Sequence, residues 1–217
     1  MATYKIKIYN QSLINKSYVA FMQAPIVTAS GGTTPIYTNA WATFENVTNG
    51  SWDSVTYSET TYAYWSQPSE ALSPGTVVDS GGVMQVNTAT KDTVAFTNTG
   101  GTGFTTLTSP GGAQDGSFQI VTSADFTPAN NFAFGLASNN GGVIPSPVAT
   151  FPAAPNEKYN VTPVVKFFVA DGAYQEGEII DVTTVSNTYA TIDFTGRPET
   201  TATVTQGSNG VFVVTYS

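Results

Sequence analysis

The chain has 217 residues, 41% of them apolar and only 10% charged, enough to bury a core in one large β domain or two small ones. Seven Lys and Arg against fifteen Asp and Glu give a net charge of −8, which argues against nucleic acid and anionic membranes as partners. His and Cys are both absent, excluding a Ser-His-Asp triad, an imidazole base, a thiol nucleophile, disulfides and the usual zinc centre. The commonest side chain is Thr, with 34 copies, and turn-forming Gly and Pro number 20 and 12. β-Branched and aromatic residues favour pleated strands, so the composition predicts an all-β protein with little helix.

The first segment, Met1-Ala-Thr-Tyr-Lys-Ile-Lys-Ile, has no continuous apolar stretch of the kind a signal peptide carries. Tyr4, Ile6 and Ile8 alternate with Lys5, Lys7 and Tyr9, the pattern of a half-buried strand. Strands are also expected over 17–24 and 36–43, with Asn49-Gly50 marking a hairpin turn. The most aromatic part, Trp52 to Trp65, follows. Shorter strands come next at Thr76, Gly82, Thr93, Phe104, Ser117 and Asn131. Residues 139–163 hold Gly141-Gly142 and five prolines, which reads as a long functional loop or a domain boundary. The last third predicts strands over 164–169, 178–182 and 188–194, then a terminal hairpin around Gln206-Gly-Ser-Asn-Gly. In total about twelve strands suit one antiparallel, jelly-roll-like β-sandwich spanning 1–217. No apolar run reaches the roughly 18 residues needed to span a bilayer, so a cytoplasmic protein is expected.

The aromatic segment supplies the candidate site. Trp41, Trp52, Tyr57, Tyr62, Tyr64 and Trp65 include all three tryptophans. Such rings stack on planar ligands and on the less polar faces of sugars. Trp52, Tyr62 and Tyr64 share one strand face and Tyr57 and Trp65 the other. Since one face alone can point into a core, the remaining rings are expected to meet solvent, a ligand or a second subunit. The competing reading is that they fill the sandwich interior.

Carboxylates are sparse. Asp171, Glu176 and Glu178 cluster near a turn and are the only candidates for a metal, of calcium type, although EF-hand spacing is missing. Carboxylate-only catalysis would need a paired geometry that the spacing does not indicate, so a non-catalytic protein is expected. The Gly31-Gly32, Gly81-Gly82, Gly100-Gly101, Gly111-Gly112 and Gly141-Gly142 pairs match no phosphate-cradling motif and read as turns.

The runs Ile6-Lys-Ile-Tyr-Asn10, Ser17-Tyr-Val-Ala-Phe-Met-Gln-Ala-Pro25 and Ile36-Tyr-Thr-Asn-Ala-Trp41 resemble those of small cytosolic fungal and microbial all-β proteins. So does Gly177-Glu-Ile-Ile-Asp-Val near the C-terminus. Among that group the mushroom pink chromoproteins are similar in size and composition. The resemblance implies a homodimer holding a non-covalent aromatic chromophore, and carries over no contact residues. Two functions follow as expectations: a binding protein for a planar aromatic small molecule, such as a pigment, and a carbohydrate-binding lectin that takes a glycan.

Overall fold

The computed structural model describes residues 3–185 and 189–217. Eighteen strands form among them, with one short helix, α1 (Val182–Val185), and a 3-10 turn at Pro128–Asn130. The first six strands are β1 (Thr3–Asn10), β2 (Lys16–Met22), β3 (Ile26–Ala29), β4 (Tyr37–Thr38), β5 (Ala42–Val47) and β6 (Trp52–Ser58). The middle of the chain gives β7 (Thr61–Ser66), β8 (Gly82–Val86), β9 (Thr93–Thr97), β10 (Gly103–Thr108), β11 (Phe118–Thr122) and β12 (Ala133–Ser138). The rest are β13 (Ser146–Pro152), β14 (Lys158–Thr162), β15 (Phe167–Asp171), β16 (Tyr189–Ile192), β17 (Thr201–Gln206) and β18 (Phe212–Tyr216). The strand expected from Thr188 is β16, while Thr188 itself lies outside the described residues.

The strands form four sheets, ordered β18-β17-β1-β6, β16-β15-β2-β5, β10-β9-β11-β14-β3 and β4-β13-β12-β7-β8. The first two pack face to face. Tyr57 of β6 meets Phe167 of β15 edge-on at 4.9 Å, and Tyr18 of β2 donates to the Gln206 side chain of β17 at 2.9 Å. The other two also pack face to face, through Phe96 against Phe134 at 4.8 Å and Phe151 against Tyr159 at 5.0 Å. One contiguous buried cluster draws residues from all four sheets, from Ile6 to Val204. The all-β sandwich reading therefore holds. Two pairings, β1 with β17 and β9 with β11, are parallel rather than antiparallel.

Two features correct the sequence-based expectations. There are more than twelve strands, because many are short and end at turns that do not break the alternation. And 139–163 is not a loop: β13 and β14 cross it, and β13 is buried for six of its seven residues. Prolines hid β13. Pro147 falls at a register shift, where Ala137 and Leu136 of β12 face Pro147 and Ala149, and bulges are among the places where a strand tolerates proline. Pro152 ends the strand.

Candidate functional site

Trp52 to Trp65 does not run as one strand. The chain leaves the β1 sheet after Ser58 and re-enters as β7 beside β12. The alternation survives the two-residue link, so Val55, Tyr57, Ala63 and Trp65 all turn toward the main core. Tyr62 and Tyr64 point the other way, and there the expectation fails. The back of β7 is covered by the chain itself, where Tyr64, Val78, Ala137 and Ile179 form a second small core. The covering segments are held by bridges from Asn39 to Ile179 and Val77 to Glu178.

The six rings accordingly go to different environments. Trp41 is sealed, donating its indole N–H to the Ser138 carbonyl at 3.1 Å and packing against Tyr57 and Phe167 at 6.0 and 5.6 Å. Tyr57 is buried, and its hydroxyl pKa is pushed up to about 12 chiefly by burial. Tyr64 is fully buried; its hydroxyl bonds Thr150, which donates to Asn39 at 2.7 Å, and burial raises its pKa. Tyr62 is half-buried against the same small core. Trp65 is half-buried, against Phe96 and Phe132. Trp52 alone is largely open, 50% exposed, on the outer face of another sheet. The proposed common aromatic site does not assemble, because the crossing from one sheet to another distributes the rings.

The acidic candidates separate too. Asp171 pairs with Lys16, Glu176 accepts from the Ser146 hydroxyl, and Glu178 accepts the Gln175 amide at 2.8 Å. No group of three or more potential ligands that could hold a metal ion is found among the described residues.

Sequence reasoning missed a different aromatic group. Phe21 of β2, Phe168 of β15 and Tyr189 of β16 line one pocket of about 340 Å³ with Met22, Ala24 and Val182. Their rings form a continuous wall: Phe21 and Phe168 are near-parallel at 5.3 Å, and Phe168 meets Tyr189 edge-on at 5.2 Å. Gln23 and Thr38 supply its polar atoms, and the Lys166 ammonium lies 6.0 Å from the Phe168 ring centre. The pocket exists because β2 and β15 are apolar on both faces. Tyr18, Ala20 and Met22 enter the main core, while Val19 and Phe21 form a second core with Ala170 and Ile180 on the opposite side. Unbroken apolar runs such as Ser17-Tyr-Val-Ala-Phe-Met and Lys166-Phe-Phe-Val-Ala carry that signal.

A second, more polar hollow of about 400 Å³ lies beside Trp65, lined by Ser66, Asp79, Ser80 and Gly81. Asp79 and Ser80 also border an adjoining hollow of about 260 Å³ with Ser146 and Glu176. The Ser80 hydroxyl is buried with no hydrogen-bond partner. Gly81 and Gly82 lie flat on the Trp65 indole: a Cβ at Gly82 would stand 2.6 Å from Nε1 and one at Gly81 2.9 Å from the ring. These two glycines are therefore spacers for a ring, as well as part of a turn.

A family model, RhiA, matches residues 1–217. The chain belongs to the RhiA family. No curated protein and no solved structure matches it. The resemblance to small all-β proteins thus resolves into a RhiA match over the full chain, and the likeness to pink chromoproteins gains no support from it. No helix among the described residues is long and apolar enough to cross a membrane.

Proposed function

We propose that this RhiA-family chain is a non-catalytic binding protein that holds a planar aromatic small molecule in the Phe21–Phe168–Tyr189 pocket. The observation that carries the reading is the wall of three rings on a pocket of about 340 Å³ with few polar atoms. That volume falls in the range of small-molecule sites, about 300–1,000 Å³, and the lining suits stacking. A non-catalytic role is supported by the carboxylates, several of which are spent on bracing loops: Asp92, Asp125, Glu157 and Asp193 are each held below the usual carboxylate range by hydroxyl or amide donors. A homodimer closing over the pocket mouth would cover the exposed Tyr189 and Val182.

The test has two parts. An absorption spectrum of the native protein, with mass spectrometry of whatever denaturation releases, looks for a resident aromatic molecule. Titration with anilinonaphthalene sulfonate then probes the pocket, and Phe168→Ala is expected to weaken dye binding about tenfold through loss of one stacking ring. Absence of any released molecule, together with dye affinity indifferent to Phe168, defeats the reading.

A second reading is a lectin, favoured by the Trp65 hollow. There a half-buried indole, the Asp79 carboxylate and the unpartnered Ser80 hydroxyl offer a sugar both a ring and polar contacts. A glycan array tests it, and silence across the array removes it.

A further inference from the structure

The outer face of the β18-β17-β1-β6 sheet is unlike the rest of this acidic molecule. Lys5 and Lys7 of β1 project from it, flanked in register by Thr201 and Thr203 of β17 and by Thr56 and Ser54 of β6. The next rung sets Tyr9 between Thr205 and Trp52. The edge strand β18 adds Thr215 opposite Thr203 and Val213 opposite Thr205. The result is a grid of hydroxyls on strands about 4.8 Å apart, with two cations at its centre and two rings, Tyr9 and Trp52, at its margin.

The charge pattern on this face is one-sided. The one carboxylate in these four strands, Asp53, alternates away from the face and accepts the Ser54 amide at 2.7 Å. Glu199 lies two residues before β17 begins. The ion pairs among the described residues use Lys16 and Lys91, leaving both face lysines out of them. Instead their ammonium groups lie over Trp52, at 4.1 Å for Lys7 and 5.3 Å for Lys5. That contact holds the cations near an aromatic surface that stays half open to solvent.

We propose that this face binds an extended anionic polysaccharide, one whose sugars carry carboxylates. The lysines meet the carboxylates, the threonine grid exchanges hydrogen bonds with sugar hydroxyls, and the open parts of Trp52 and Tyr9 accept the apolar C–H faces of the rings. Two lysines are too few for a nucleic acid, which needs many phosphate contacts at once. A lipid surface needs a broad apolar face to enter, and here Val213, with Val211 just ahead of β18, is a small exposed aliphatic spot amid hydroxyls. Two exposed cations supply modest affinity per contact, so a polymer with many identical carboxylates suits the face better than a single sugar. This surface is separate from the aromatic pocket and from the Trp65 hollow.

Native affinity electrophoresis in gels cast with polygalacturonate or with neutral dextran tests the proposal on the full chain. Migration is expected to be retarded by polygalacturonate and not by dextran, and added NaCl is expected to relieve the retardation. The Lys5→Gln/Lys7→Gln variant is expected to bind about fivefold more weakly, as befits two exposed charge contacts. Trp52→Ala weakens binding as well, while Phe168→Ala leaves it unchanged, which separates this face from the pocket. No retardation, equal retardation in dextran, undiminished binding by the double variant, or tighter binding to DNA or phosphatidylserine vesicles overturns it.

Discussion

Gly82 and Asp125 show how single residues in this fold answer to their neighbours more than to their type. Gly82 opens β8, where its backbone must pass close to the Trp65 indole. Gly82→Ala is expected to cost about 1–3 kcal/mol through overpacking, read as a lower denaturant midpoint with an unchanged slope. A neutral result would mean that the indole has room to shift. Asp125 is a loop carboxylate bonded by the Ser123 and Thr97 hydroxyls and by the Asn98 and Thr99 amides, the latter two at 2.9 and 2.8 Å. Those donors hold its pKa well below the ordinary carboxylate value. A depressed native pKa means that the unfolded chain binds the proton first on acidification. The stabilisation is therefore present above the unfolded value of about 3.9 and is lost as pH falls below it. Asp125→Asn should lower the melting temperature at neutral pH and flatten its decline between pH 5 and 3. An unchanged acid limb would show that Asp125 contributes little.

Between β6 and β7 lies the lesson at the level of elements. Alternation from Trp52 to Trp65 was legible in the sequence and is kept, residue for residue, across the link. What the alternation could not reveal is that β7 belongs to a different sheet, one whose back is covered by segments more than ten residues away in sequence. Covering segments are contributed by tertiary structure, and hydrophobic period carries no record of them. Much the same holds for 139–163, where a bulge absorbs Pro147, and for Phe21 and Phe168, whose two-sided apolar strands were visible but whose outward pocket depends on Tyr189 arriving from β16. Tyr57, by contrast, was expected among the aromatic residues and is seen as core. With its pKa raised to about 12 by burial, the folded phenol stays neutral while the unfolded one ionises near its ordinary value of 10. Stability from this group is intact below pH 10 and falls as pH rises toward 12. Thermal melts of Tyr57→Phe across that window should decline less steeply than those of the parent chain, and equal slopes would contradict the assignment.

For the whole molecule, composition alone indicated the class: a Thr-rich, helix-poor chain closes into stacked sheets around one large buried cluster, with two smaller ones beside it. Connectivity was not legible, because two parallel pairings join strands far apart in sequence, β1 with β17 most of all. The parallel β1–β17 ladder closes the ends of the chain onto each other, and it builds the lysine–threonine face in doing so. The proposed binding site lies where sheets present side chains outward, at the ring-walled pocket of β2, β15 and β16, away from the tryptophan-rich stretch that first drew notice. The most direct measurement is a set of amide and aromatic NMR spectra recorded as anilinonaphthalene sulfonate is added. The account predicts the largest shifts at Phe21, Phe168 and Tyr189, with Trp41 and Tyr64 unmoved. Shifts centred on Trp65 or Trp52 instead, with the three pocket rings silent, would contradict it.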